Sequence, residues 1–251
     1  MQSGMVYLIG AGPGDPELMT LKAVRLLGEA EVVLVDDLVN RAVLVHARPD
    51  ARIIEVGKRG GCQSTPQAFI HLQMIQAARA GHRVVRLKGG DPFMFGRGGE
   101  EIEALRAAGI AVEVVSGVTS GIAAPASLGI PVTHRDWAPG VTFVTGHTRD
   151  GNSVNWAALA AARTTLVVYM GVKNLPEIVT QLLAAGLPAS TPAAAIQSGT
   201  LGAQREVKAT LVTLQAAMHA ADIGSPAILV IGAVASLAHI ETYSQAAVRA
   251  A

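Results

Sequence analysis

A chain of 251 residues suits one large domain or two of ordinary size. Half of its residues are hydrophobic but only 4% are aromatic, so the core must be built from Ala, Val, Leu and Ile. Twenty Lys and Arg against nineteen Asp and Glu leave a formal charge of +1, which excludes a broad nucleic-acid footprint or an acidic-membrane partner and leaves any anionic ligand to a local basic cluster.

In chain order, the apolar run Val6–Ile9 reads as a buried strand feeding a Gly-Ala-Gly-Pro-Gly turn. Helical spacing follows over Thr20–Gly28, with Gly28 as the expected C-cap. Strands are predicted at Val32–Val35, ending at Asp36-Asp37, and at Ile53–Val56, ending at Gly57-Lys58-Arg59. Thr65 and Pro66 read as N-cap and first residue of a helix running to about Ala80. A strand at Val84–Leu87 leads into Lys88-Gly89-Gly90-Asp91-Pro92. A helix over 98–108 and a strand at Val112–Val115 follow. The pattern restarts with strands at Val141–Thr145 and Thr165–Met170 and helices near Trp156–Ala162 and Leu175–Ala185. Strands near Ala193–Ile196, Val207–Leu211 and Ala227–Ile231 and a helix near Thr213–Ala221 complete it.

Apolar strands alternating with amphipathic helices define an α/β class with mostly parallel or mixed sheets. The interruption at Trp137, Pro139 and Gly140 predicts two α/β domains, residues 1–138 and 139–251. Glycines and polar residues gather after the strands. In open α/β sheets ligands sit outside the carboxyl ends of the strands, so these loops are expected to share the site face.

Met1 to Ile9 lacks a basic segment followed by a long apolar stretch, so it reads as a strand and not as a signal peptide. The longest apolar run, Pro226 to Ala238, is too short for the ~20 residues a bilayer needs. Cys62 is the only cysteine, which leaves no intrachain disulfide and favours a cytoplasmic setting. The seven histidines show no metal-ligand spacing, so no metal is expected.

Two segments carry chemistry. Gly10-Ala11-Gly12-Pro13-Gly14-Asp15-Pro16 invites a dinucleotide or P-loop assignment, but the pattern is defective. Asp15 stands where the third glycine would fall, Pro13 lacks an N–H, and no Gly-Lys-Ser/Thr follows. A glycine turn holding a neutral or cationic ligand fits better. The stretch from Lys88 to Glu101 has five glycines in fourteen residues, letting backbone approach a ligand closely. Within it Asp91 can accept from a ligand hydroxyl or ammonium, and Arg97 offers a planar fork for a carboxylate.

Gly10–Thr20, Val84–Glu101, Ser116–Arg135 and Tyr169–Gly171 together resemble the tetrapyrrole methylase family, in order and across nearly the whole chain. The resemblance implies two α/β domains with S-adenosylmethionine in the cleft between them, usually in a homodimer. It implies cofactor contacts from Pro13, Gly89, Gly90, Asp91, Met94, Thr119, Ser120, Met170, Gly199 and Ala227. Asp36 stands where the family has its proposed proton acceptor and Lys58 where it has its donor. Arg97 and Arg135 are the implied partners of substrate carboxylates, with Glu100 supporting one of them or contacting pyrrole N–H groups. The implied reaction is two methylations of uroporphyrinogen III, at C2 and C7, giving precorrin-2 and S-adenosylhomocysteine. Three positions depart from the pattern: Val35 replaces a frequent Tyr, Asp37 an occasional Arg, and His71 a frequent Asn.

Three alternatives stand beside this one. A methylase of the same family would act on a later corrinoid intermediate, sharing the cofactor contacts and differing in the substrate loops. A nucleotide-dependent oxidoreductase would use the first glycine turn, against its defective pattern. A non-catalytic tetrapyrrole binder would have no use for Asp36 and Lys58 at strand ends.

Overall fold

The computed structural model describes residues 4–57, 65–147 and 154–239. Lys58 and Cys62 lie outside the described residues. The chain divides into two compact units. The division falls after Ala123, and Thr200–Gly202 belongs with the first unit.

The first unit is built on five parallel strands: β1 (Met5–Gly10), β2 (Val32–Val35), β3 (Arg52–Glu55), β4 (Val84–Lys88) and β5 (Ala111–Val115). Their order is β3-β2-β4-β1-β5. Because all five run the same way, their carboxyl ends form one edge. Strands β2 and β4 are buried along their whole length, as expected of a parallel sheet covered on both faces.

One face, with Ile9, Val33, Val85 and Leu87, packs on α1 (Leu21–Glu29) through Ala23, Leu26 and Leu27. The other, with Val6, Leu8, Leu34 and Val84, packs on α2 (Gln67–Arg79) and α3 (Gly98–Ala107) through Ile70, Met74, Ile102 and Leu105. Each fully buried Leu or Ile contributes about 1.5–3 kcal/mol by leaving water.

Two helix ends differ from expectation. Thr20 caps α1, its Oγ1 accepting from Ala23 N at 3.2 Å, but Gly28 lies inside the helix, which ends on Ala30. An added Cβ at Gly28 would meet His46 O at 3.2 Å, so the glycine serves close packing against the 3-10 turn Arg41–His46 and not a reversal of the chain. At α2 the N-cap is Pro66, one residue later than expected. The Thr65 hydroxyl instead donates to Gly57 O at 3.2 Å. A further helix, α4 (Ser120–Ser127), was not expected, because Pro125 interrupts its pattern.

The second unit carries β6 (Val141–Thr145), α5 (Trp156–Ala161), β7 (Thr165–Tyr169), α6 (Leu175–Ala184), β8 (Pro192–Gln197), β9 (Arg205–Thr210), α7 (Leu214–Ala220) and β10 (Ala227–Ile231). The sheet order is β6-β7-β10-β8-β9, and only the β6–β7 pair is parallel. Helices α6 and α7 cover one face through Leu175, Ile178, Leu182, Leu214 and Met218. Ala124, Leu128, Ile130 and Val234 cover the other. The two-sheet α/β class is as the sequence predicts, one sheet parallel and one mixed.

Candidate active site

At the carboxyl edge of the first sheet the two glycine turns meet backbone to backbone. Gly12 N donates to Gly90 O at 3.2 Å and Gly90 N to Gly12 O at 2.7 Å. Side chains are excluded here: a Cβ on Gly10 or Gly117 would fall 2.5 or 2.3 Å from Gly90 O. Gly90, at φ +65°, has room above it, bounded by Thr119 and Ser120 at 3.8–3.9 Å. Pro13, Gly89, Gly90, Asp91, Thr119 and Ser120 are therefore neighbours on this edge. Asp91 holds the loop itself, Oδ1 accepting from Phe93 N at 2.8 Å and Oδ2 from Gly117 N at 3.1 Å. Each of its oxygens keeps a second lone pair for a ligand donor. Met94 follows in the same loop, half-buried. Asn40 ties the loop after β2 to the first turn, its Nδ2 donating to Gly14 O at 2.8 Å.

Beside these turns a charged cluster replaces the apolar core. Residues 32, 34 and 36 and residues 84, 86 and 88 alternate onto one face, and Leu34 pairs with Arg86 in register. The face starts as Val32, Leu34 and Val84 and ends as Asp36, Arg86 and Lys88. Arg86 is 2% exposed, and its Nη2 donates to Asp36 Oδ1 at 2.7 Å while its Nε donates to Glu101 Oε1 at 3.0 Å. Lys88 Nζ bonds Glu101 Oε1 at 3.3 Å and lies 3.7 Å from Asp36 Oδ2. Glu101, on α3, is fully buried and also receives Gln67 Nε2 at 3.0 Å. Its Oε2 lies 3.2 Å from Lys88 Nζ without hydrogen-bond geometry. The two anions hold the Arg86 proton more firmly, against the cost of burial. Burial and the adjacent Arg86 push the Lys88 ammonium below its ordinary value, against the pull of Glu101 and Asp36.

Asp36 is the one member of the cluster that reaches solvent, its side chain 29% exposed. Its backbone is fixed as well: its N–H donates to Leu87 O at 3.2 Å, and Arg41 Nη1 donates to its carbonyl at 2.9 Å. Arg41 is itself ion-paired with Glu55. Asp37 lies over Gly57, where a Cβ would come 1.8 Å from Asp37 Oδ1. Asp37 therefore leaves no room for a side chain at position 57, just after β3. Lys58, the expected proton donor, lies outside the described residues.

Arg97 opens α3 in the left-handed region at φ +59° and grips Glu100 with both edges of its fork, at 2.9 and 2.6 Å. The Glu100 carboxylate raises the Arg97 pKa further. The pair is solvent-exposed, and so are the rings of Phe93 and Phe95 just before it.

In the second unit, Met170, Gly199 and Ala227 fall on one sheet edge. Strand β7 ends before Met170, β8 ends before Gly199, and β10, antiparallel to both, begins at Ala227. Ser198 N donates to Pro226 O at 3.1 Å across this edge. Met170 is 52% exposed and at φ +52°, so it is not core packing at a strand end. Arg135 lies in the turn closed by the His134–Ala138 bridge, beside Trp137, whose ring stacks on His134 at 5.0 Å. Arg135 is exposed.

The family model for tetrapyrrole (corrin/porphyrin) methylases matches residues 5–215. The chain belongs to the tetrapyrrole methylases. It is 56% identical to a uroporphyrinogen-III C-methyltransferase of Pseudomonas aeruginosa, over 92% of this chain and 94% of that one. A siroheme synthase of Stutzerimonas stutzeri is 50% identical over 93% of this chain, which spans 50% of that longer protein. Among solved structures, a Thermus thermophilus uroporphyrin-III C-methyltransferase complexed with S-adenosyl homocysteine is 42% identical at TM-score 0.79, covering 92% of this chain and 93% of that one. A cobalt precorrin-4 methyltransferase is 29% identical at TM-score 0.83, covering 92% and 95%.

For a tetrapyrrole methylase the donor set is chemically apt. The glycine edge presents small residues, backbone groups and the Asp91 carboxylate, with no basic side chain among Pro13, Gly89, Gly90, Thr119 and Ser120. That suits a cationic sulfonium and is poor for a phosphate. Sequence reasoning missed Arg86 as a member of the charged cluster and passed over Lys88 and Glu101 inside the glycine-rich stretch. The signal was present: charges at i and i+2 in a strand otherwise apolar on both faces need a buried counter-charge. Among the described residues, no group of three or more His, Cys, Asp or Glu could hold a metal ion. No helix among them is long and apolar enough to cross a membrane.

Proposed function

We propose that this tetrapyrrole methylase is an S-adenosylmethionine-dependent C-methyltransferase that converts uroporphyrinogen III to precorrin-2 by successive methylations at C2 and C7. The observation that carries this is the partly exposed Asp36 carboxylate beside the Gly89–Asp91 turn, in a chain 56% identical to a uroporphyrinogen-III C-methyltransferase. S-adenosylmethionine supplies an electrophilic methyl group on a sulfonium. Pro13, Gly89, Gly90, Asp91, Met94, Thr119 and Ser120 hold it on the first unit, and the second unit's proposed contacts are Met170, Gly199 and Ala227. Attack by a pyrrole carbon is an in-line displacement, so orientation is the protein's main contribution. Arg97, braced by Glu100, and Arg135 receive substrate carboxylates.

Methylation leaves the macrocycle one proton in excess. Asp36 accepts that proton at Oδ2, since Oδ1 is occupied by Arg86. Lys58 is the proposed donor. The protein works as a homodimer in the cytoplasm, for which static light scattering and fractionation are the direct checks.

The deciding experiment is anaerobic incubation of the purified protein with methyl-labelled S-adenosylmethionine and uroporphyrinogen III. Label is expected in a dimethylated product, and its absence overturns the proposal. The structural likeness to a cobalt precorrin-4 methyltransferase favours one second reading, a later corrinoid as substrate. Label entering such a corrinoid and not uroporphyrinogen III would establish it instead.

A further inference from the structure

We infer that Glu101 is a positioning residue for Asp36, acting through Arg86 and Lys88. The inference rests on the proposed role of Asp36 as proton acceptor. Three donors from two elements, β4 and α2, converge on one oxygen of Glu101: Arg86 Nε at 3.0 Å, Gln67 Nε2 at 3.0 Å and Lys88 Nζ at 3.3 Å. The two cations thus gathered also face Asp36, Arg86 at 2.7 Å from Oδ1 and Lys88 at 3.7 Å from Oδ2. The orientation of the Asp36 carboxylate is therefore set from beneath, by the buried Arg86 and Lys88.

Stability does not explain this arrangement. Well-packed apolar side chains in place of a buried ionic cluster are often neutral or stabilising. The same face of β4 is apolar at Val84, at the amino end of the strand, and becomes charged only on approach to Asp36. Glu101 also balances the cluster. Asp36 and Glu101 offset Arg86 and Lys88, and without Glu101 the Asp36 carboxylate would face two cations alone. Helix α3 carries Glu100 next to Glu101 and Arg97 at its N-cap, so the arm proposed to receive substrate carboxylates and the group that orients Asp36 share one helix end.

The test is Glu101→Gln in the full chain, with uroporphyrinogen III as substrate and active sites counted by S-adenosylhomocysteine titration. A positioning role predicts that kcat per titrated site falls about 10- to 100-fold, with S-adenosylhomocysteine affinity and the KM for S-adenosylmethionine within about twofold of wild type. A purely structural role lowers the number of titrated sites and leaves turnover per site unchanged, which overturns the inference. If Glu101→Gln does not fold, Glu101→Asp keeps the charge and shortens the arm by one methylene. It is expected to show the same split between kcat and affinity, and wild-type turnover per site in it overturns the inference. Combining Glu101→Gln with Asp36→Asn should cost much less than the product of the two separate effects, and full additivity counts against the link. Wild-type turnover in Asp36→Asn alone removes the base and this inference with it, but leaves the methyltransferase activity standing. Failure of the wild-type protein to label uroporphyrinogen III would be the separate failure of the proposed function.

Discussion

Removing the Arg86 side chain should destabilise the first unit by about 3 kcal/mol, the low end of the ~3–5 kcal/mol range for breaking a buried ion pair from one side. The low end follows from what remains. Glu101, fully buried, keeps Lys88 and Gln67, so it is not left as an uncompensated charge. Asp36 loses its 2.7 Å partner but is partly open to water, which rehydrates it. Arg86→Met keeps most of the buried stem and isolates the loss of the guanidinium. Urea unfolding at neutral pH would read the change as a lower midpoint at unchanged slope. Adding Glu101→Leu to Arg86→Met should recover most of the loss, because the remaining Asp36 and Lys88 still face each other. An Arg86→Met midpoint equivalent to less than about 1 kcal/mol of destabilisation would refute the reasoning, since a buried guanidinium that anchors two anions cannot be that dispensable.

Lys88 titrates below the ordinary lysine value of 10.5 in the folded protein, so between its lowered value and 10.5 the unfolded chain binds more protons and stability rises with pH. Urea midpoints taken towards pH 10 should therefore favour wild type progressively over Lys88→Met, and a pH-independent difference would contradict the shift; burial sets it first and Arg86 adds to it, while Glu101 and Asp36 oppose it. Arg97→Ala should lower kcat/KM for uroporphyrinogen III about 10- to 100-fold, as expected for one charge-assisted contact of ~1.5–3 kcal/mol, with S-adenosylhomocysteine affinity by calorimetry unchanged. Met170→Gly should relieve a left-handed backbone and stabilise the protein by about 0.5–1 kcal/mol after the glycine's extra unfolded-state entropy, while weakening S-adenosylmethionine binding. A thermal midpoint that falls would show that Met170 packs more than its exposure implies.

Strands were the most legible elements in the sequence, and the reason is physical. Val32–Val35, Val141–Thr145 and Ala227–Ile231 are short apolar runs closed by glycine or charge, and the structure bounds them as the sequence does. Helix ends were less legible, because caps depend on neighbours distant in sequence. Gly28 looks like a terminator but is required by His46 O, eighteen residues on. Pro66 takes the cap because the Thr65 hydroxyl is drawn to Gly57. Helix α4 was illegible: Pro125 and a run of small residues erase its periodicity. At the site, the glycine turns and Arg97 were visible as local motifs. The Asp36–Arg86–Glu101 link was not, because it joins the end of β2, β4 and α3 across sixty-five residues of sequence and shows only once the register is known.

The second sheet shows why a rule built on strand carboxyl ends finds only part of a candidate site. In the first sheet every strand is parallel, so every loop after a strand lies on one edge and chain order predicts the site loops. In the second, β10 runs against both β7 and β8. The edge that holds Met170 and Gly199, each following a strand, must therefore also hold the first residue of a strand, Ala227. No local motif marks Ala227, since its place follows from strand direction alone. The division of labour within β4 has the same origin. Alternation keeps 84, 86 and 88 on one face, and at ~3.3 Å per residue the face passes from core to charged cluster in about 13 Å. A substitution at Val84 should therefore cost stability alone, while one at Arg86 or Lys88 should cost stability and turnover together. Measuring both quantities at all three positions would locate the boundary between scaffold and site within one strand.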